Sequence, residues 1–168
     1  MSAEFPKTTP GTGAAKHLLH ETNGIMKLAE RTGVEPLPNE NRNIVELPLG
    51  LLGFEEVKQY TLLADPKESP FVWLQMLGAP KASFLVVDPF VLFPDYQPDI
   101  TDDDIQFLGL DAPQHAAVFN IVTLRSDGSA SINLKGPIII NRQTLQGKQV
   151  IPVNASAYQV QHPLPLAS

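Results

Sequence analysis

The sequence predicts a mainly β fold, a small antiparallel β-barrel-like or sandwich domain with one or two short helices. Three observations lead to this prediction. From Ile44 onward, short apolar runs alternate with turn residues, the runs recur about every 8 to 15 residues, and almost no segment keeps a long helical period. This combination is typical of all-β sandwiches and barrels.

The chain divides by composition into an extension, a body and a tail. Its 168 residues are enough to bury a real core. We expect residues 1–43 to be a flexible N-terminal extension, 44–163 to be the β domain and 164–168 to be a tail. Apolar residues at 14–31 roughly follow a 3.6-residue period that Asn23-Gly24 interrupts. The extension is therefore expected to hold, at most, a marginal or partner-stabilised short helix.

The elements of the β domain follow from its apolar runs. Strands are predicted in IVELPL (44–49), VKQYTLLA (57–64), FVWLQML (71–77), ASFLVVD (82–88), AVFNIVTL (117–124), ASINL (130–134), PIIIN (137–141) and KQVIPV (148–153). Asp127-Gly128 marks the clearest hairpin turn. The three β-branched residues of PIIIN suit a strand buried on both faces, so this run is interpreted as scaffold rather than as a catalytic site.

Acidity is concentrated in one segment. The formal net charge is −6. Residues 88–111 contain no Lys or Arg and seven aspartates, which are Asp88, Asp95, Asp99, Asp102, Asp103, Asp104 and Asp111. Neutralising phosphates requires clustered basic residues, so direct binding of nucleic acid is not expected.

The sequence offers little for catalysis, metal binding or membrane insertion. There is no cysteine, no glycine-rich phosphate loop and no G-x-S-x-G motif. His17 and His20 form an H-x-x-H pair without an evident third ligand, and solvated histidines are the favoured interpretation. No apolar run approaches the ~20 residues that cross a bilayer. We expect a cytoplasmic protein that is not an enzyme and has no cofactor, no metal and no membrane contact.

The acidic segment has two compatible interpretations. Thr101 can cap a short helix whose first turn holds Asp102, Asp103 and Asp104, where acids complement the helix dipole. The same carboxylates can at the same time form a negative surface that steers a basic partner. Tyr96, in an aromatic and proline-rich stretch beside them, is of a type common at interfaces.

The ordered set of runs resembles a known family. LPLGLLGFEEVKQYTLL (47–63), PFVWLQML (70–77), FLVVDPFVLFPDY (84–96), NIVTL (120–124), and NLKGPIIIN (133–141) followed by KQVI (148–151) are similar to the bacterial flagellar assembly factor FliW. The resemblance covers about Ile44 to Pro163. It implies a small, barrel-like, mostly β fold and a non-enzymatic role, in which the protein binds flagellin and the basic translational regulator CsrA. It also implies partner switching, since secretion of flagellin would free the factor to capture CsrA.

The resemblance implies one expected partner for each candidate surface. We expect Asp95, Tyr96, Asp102, Asp103 and Asp104 to help bind CsrA. Leu51, Leu52 and Phe54, in the loop bracketed by Gly50 and Gly53, are candidates for flagellin, with core packing as the alternative role. A different function class also stays open, namely a small β-barrel enzyme or a ligand-binding module with a pocket between sheets. The sequence offers no obvious polar set for such a pocket.

Overall fold

The computed structural model describes residues 26–27 and 44–164. Most of the predicted N-terminal extension, including His17 and His20, therefore lies outside the described residues. Met26–Lys27 form a short strand, so the expected helix at 14–31 does not include these two residues. Leu164, which was assigned to the tail, is buried in the core, and residues 165–168 lie outside the described part.

The described residues form eleven strands, two short α-helices and three 3-10 helices, which are Pro66–Glu68, Pro113–His115 and Ala155–Ala157. The strands are β1 (Met26–Lys27), β2 (Ile44–Glu46), β3 (Gln59–Ala64), β4 (Phe71–Met76), β5 (Ser83–Val87), β6 (Asp99–Ile100), β7 (Ala116–Leu124), β8 (Ala130–Ile132), β9 (Ile138–Asn141), β10 (Gly147–Gln149) and β11 (His162–Pro163). The helices are α1 (Pro89–Leu92) and α2 (Asp102–Leu108). The mainly β fold class is confirmed.

The main sheet is antiparallel and strongly curved. Its strands run in the order β10-β9-β7-β5-β4-β3-β2, with β8 paired to the end of β7 and β11 paired to β8. The long strand β7 changes neighbour along its length, because residues 116–119 pair with β9 and residues 122–124 pair with β8. A single bridge between Glu46 and Gln146 brings β2 towards the start of β10. The sheet curls like a barrel, but it does not close.

The apolar run of β9 separates two parts of the core. Ile138, Ile139 and Ile140 are fully buried, as predicted. Ile138 and Ile140 pack with the residues of β2 to β5, whereas Ile139 points to the opposite face and packs with α2. Successive residues of a strand face opposite sides, so a strand with apolar neighbours on both sides needs an unbroken apolar run.

Asn141, which ends this run, fastens α2 to the sheet. Its side-chain amide donates to the carbonyl oxygens of Leu108 and Gly109 at 2.8 and 3.1 Å. Its side-chain oxygen accepts from the backbone amides of Gln143 and Thr144 at 2.8 and 3.2 Å. One buried asparagine therefore ties the end of α2 to the turn that follows β9, which is a scaffold role.

The helix predicted at the aspartate cluster is present and longer than one turn. Thr101 caps α2, since its hydroxyl oxygen accepts from the amide of Asp104 at 3.1 Å. Gly109 ends the helix with a left-handed φ of 66°. The helix continues past the cluster because Ile105 and Leu108 are buried against the sheet.

Helix α1 was not expected from the sequence. Asp88 caps it and Pro89 occupies its first turn.

Candidate functional site

Three exposed aspartates flank β6 and are called the acidic rim here: Asp95, Asp102 and Asp103. Asp95 follows α1, and the other two stand in the first turn of α2. The cap at Thr101 leaves their carboxylates on the solvent side of the helix start, since the buried face is formed by Ile105 and Leu108. This is the part of the predicted CsrA site that the fold leaves accessible.

Asp104 belongs to the scaffold rather than to the exposed rim. It is buried and forms an ion pair with Lys148 on β10. The same ammonium group lies 5.3 Å from the centre of the Phe107 ring. Because Asp104 already has a basic partner within the chain, its carboxylate contributes less than its neighbours to any negative field outside the protein.

Tyr96 is also buried, with 3% of its surface exposed. Its hydroxyl donates to the carbonyl oxygen of Leu134 at 2.7 Å and accepts from the side-chain amide of Asn120 at 3.3 Å. Its ring makes an edge contact with Tyr158, with 4.8 Å between ring centres. Burial raises the pKa of this phenol well above its ordinary value. Tyr96 therefore supports the loop that carries Asp95, and it does not itself reach the surface.

The glycine-bracketed loop exposes one of its three candidate side chains. Leu51 is buried, and Phe54 packs edge-on against Phe84 with 5.4 Å between ring centres. Leu52 is 65% exposed, while its amide is held by the side chain of Gln149 at 3.0 Å. The loop is tight at Gly50, where an added Cβ would lie 2.5 Å from the backbone of Glu55. Leu52 is thus presented to solvent by a firmly held loop.

A groove on the outer face of the sheet was missed by the sequence analysis. The pairing register places Leu63, Trp73, Leu85 and Val122 in one row across β3, β4, β5 and β7. The row is exposed at Leu63 and becomes buried at Val122. The open groove beside it has a volume of about 420 Å³ and is lined by Lys67, Glu68, Ser69, Phe71, Trp73, Leu85, Val122 and Leu124.

The chemistry of this outer groove suits an amphipathic segment. Its floor is apolar, and its rim carries one basic and one acidic residue, Lys67 and Glu68. The indole nitrogen of Trp73 donates to Glu68 at 3.2 Å, which restrains the ring. Leu124, at the far side, is 57% exposed. Apolar grooves with polar rims typically receive helices that are apolar on one face. The sequence signal for this groove was the alternation of side chains in FVWLQM and SFLVV. It identifies the groove only when the pairing register between these two strands is known.

Within residues 44–164, no group of three or more acidic or histidine side chains is arranged to hold a metal ion. None of the helices in the same residues is long and apolar enough to cross a bilayer.

Comparison with known proteins decides the family. The model of the family described as FliW protein matches residues 29–164. The chain belongs to the FliW family. A FliW from Syntrophus aciditrophicus is 40% identical over 110 residues, which cover 65% of this chain and 70% of that protein. A FliW from Bacillus subtilis is 34% identical over 126 residues, which cover 74% and 87%. Both relatives are described as flagellar assembly factor FliW.

A solved structure supports the same assignment. A crystal structure of the flagellar assembly factor FliW superposes with a TM-score of 0.66 and 32% sequence identity, covering 80% of this chain and 96% of that one. The resemblance stated from the sequence is therefore confirmed, and so is the antiparallel β architecture that it implied. Residues 1–28 precede the part that the FliW family model matches.

Proposed function

We propose that this FliW family member binds flagellin and CsrA in the cytoplasm and couples flagellin synthesis to flagellin secretion by exchanging the two partners. The acidic rim is the observation that supports CsrA as a partner. Asp95, Asp102 and Asp103 are exposed within a segment that contains no basic residue from 88 to 111. Exposed charges of one sign steer a basic protein and set its orientation more than they add affinity.

Buried members of the predicted CsrA site act indirectly in this proposal. Tyr96 fixes the backbone beside Asp95 through its bond to Leu134, and Asp104 anchors α2 through Lys148. Neither side chain is expected to touch CsrA. The proposal uses protein contacts alone, with no reaction and no direct contact to nucleic acid.

Flagellin requires a surface of different chemistry. The outer groove, with Trp73 and Leu85 on its floor, supports the binding of an amphipathic helical segment. Leu52 is a second apolar contact presented to solvent. Leu51 and Phe54 hold the loop that carries Leu52, so we assign them a positioning role. In this proposal the basic partner and the apolar partner therefore have separate surfaces.

The assignment of the acidic rim is tested by reversing one of its charges. Asp103→Lys should lower the association rate with purified CsrA by about threefold to tenfold at low salt, because it weakens the steering field. The difference should shrink as salt is added. Glu56→Lys is the matched control, since it makes the same charge change at an exposed residue of the loop before β3. Stopped-flow or surface plasmon resonance would measure both rates.

Equal association rates and equal salt dependence for the two variants would remove the acidic rim from the CsrA site.

Asp104→Asn separates the scaffold role from the surface role. It should lower the free energy of unfolding by about 1 to 3 kcal/mol, since it replaces the charged partner of Lys148 with a neutral amide, while it should change the association rate less than Asp103→Asn, which makes the same charge change.

A further inference from the structure

The segment that follows β10 carries two exposed apolar side chains. Val150 and Pro152 are buried. Between and after them, Ile151 is 55% exposed and Val153 is 58% exposed. Successive side chains of an extended segment point to opposite sides, so this alternation places Ile151 and Val153 on the same side, towards solvent. These two residues are called the anchor pair here.

Hydrogen bonds attach the end of this segment to β6. The amide of Val153 donates to the carbonyl oxygen of Asp99 at 2.8 Å. The side-chain oxygen of Asn154 accepts from the amide of Asp99 at 3.0 Å, and its side-chain amide donates to the carbonyl oxygen of Gln97 at 2.8 Å. The anchor pair is therefore held beside the strand that connects the aspartates of the acidic rim.

The start of the segment is packed against α2, which carries two aspartates of the rim. Val150 lies in the same core cluster as Ile105 and Leu108. Its amide donates to the carbonyl oxygen of Pro137 at 2.9 Å. The backbone of the segment is thus fixed at both ends, so little conformational freedom is lost when its exposed side chains meet a partner.

An acidic rim does not by itself explain a lasting complex. Exposed charges raise the rate of encounter and set orientation, whereas most of the binding energy comes from a few side chains that become buried at the centre of an interface. The anchor pair offers such side chains directly beside the charge. The negative rim next to it favours a basic protein as the occupant, which is the charge expected of CsrA.

We propose that Ile151 and Val153 are the apolar anchors of the CsrA-binding surface, so that the acidic rim sets the association rate and the anchor pair sets the dissociation rate. This inference rests on the proposed function, since it adds two residues to the surface that receives CsrA. It separates the pair from the outer groove, which is assigned to flagellin.

The test removes the anchor pair and leaves the acidic rim unchanged. Ile151→Ser combined with Val153→Ser should raise the dissociation rate of the CsrA complex about fivefold to thirtyfold, because truncated anchors lose contact in the bound state. The association rate should change less than about twofold, since no charge is altered. Surface plasmon resonance measures both rates. The difference in dissociation rate should persist at high salt, where the effect of Asp103→Lys shrinks.

Leu124→Ser is the matched control for Ile151→Ser alone, which should raise the dissociation rate about threefold to tenfold. The two original side chains are isomers, and Leu124 is 57% exposed against 55% for Ile151. Leu124 lines the outer groove, so its replacement should leave both CsrA rates unchanged. Urea unfolding of each variant checks that the fold is kept, as expected for substitutions at exposed positions.

The outcomes separate this inference from the proposed function. Faster dissociation with an unchanged association rate supports the anchor pair. An unchanged dissociation rate, an equal rise in Leu124→Ser, or a loss of flagellin binding in place of CsrA binding overturns the inference. If Asp103→Lys slows association while the anchor pair has no effect, the proposed function stands and the inference fails. If the unaltered chain does not bind CsrA, both fail.

Discussion

A single hydroxyl joins three parts of the fold at Tyr96. It links the loop after α1 to the carbonyl of Leu134 and to Asn120 on β7, while the ring packs against Tyr158. A phenol at this depth is stable because both its apolar ring and its polar oxygen have partners. Its exposed neighbour, Asp95, is one of the three residues of the proposed CsrA-binding surface.

Replacing Tyr96 by Phe tests this division of roles. The substitution keeps the ring and removes the bonds to Leu134 and Asn120, so the free energy of unfolding should fall by about 1 to 3 kcal/mol. Under conditions in which the variant stays folded, its affinity for CsrA should change little, in contrast with that of Asp103→Lys. Urea unfolding and the binding assay would check the two statements, and a large loss of affinity without a loss of stability would show that the tyrosine contacts the partner.

The raised pKa of Tyr96 also predicts the pH dependence of stability. Burial favours the neutral phenol in the folded state, so its contribution is fully present below the ordinary tyrosine pKa of about 10 and declines as pH rises above it. The Tyr96→Phe variant should lose less stability than the unaltered chain between pH 9 and pH 11, as measured by urea unfolding at each pH.

Helix α2 presents two of the three residues of the acidic rim, Asp102 and Asp103. Its start is set by Thr101, its end by Gly109, and its buried side by Ile105 and Leu108. Asn141 and the ion pair of Asp104 with Lys148 attach it to β9 and β10. Asp102 and Asp103 are therefore held on a short but firmly attached element.

Removal of the cap should weaken this element. Thr101→Ala loses the bond to the amide of Asp104 and should cost about 1 kcal/mol of unfolding free energy, whereas Thr101→Ser keeps the hydroxyl and should cost much less. Thermal or urea unfolding of the three proteins would measure the difference. Equal stability of the Ala and Ser variants would contradict the capping role.

Some strands and helices could be predicted from the sequence, and others could not. The strands at 59–64, 71–76 and 116–124 could be predicted because β-branched and aromatic residues lie between turns. The cap at Thr101 was readable from residue chemistry alone. The two-residue strands β1, β6 and β11 are too short to show a period, and they exist because distant backbone edges meet.

In the whole molecule, the two proposed surfaces lie near opposite ends of β7. Ala116, its first residue, packs with α2 below the acidic rim, and Leu124, its last, lines the outer groove. Nine extended residues span about 27 Å between their ends. A folded partner of about 100 residues is at least as wide as that. We propose that two such partners hinder each other on one molecule, which would give a physical basis for exchange.

The candidate site was less predictable from sequence than the fold. Local patterns identified which residues are acidic or apolar, but they did not show which are covered. Tyr96 and Asp104 are buried by contacts to Leu134 and Lys148, 38 and 44 residues away in the chain. The outer groove depends on the register between strands, since Trp73 and Leu85 become neighbours only when β4 and β5 pair. Burial and register are long-range properties that one strand cannot reveal.

The central claim of exchange between two protein partners is tested most directly by mixing all three proteins. Sedimentation velocity of the unaltered chain with excess flagellin and excess CsrA should show two binary complexes, and added flagellin should displace CsrA in proportion to its concentration. A stable ternary complex, or CsrA binding that flagellin leaves unchanged, would contradict the account.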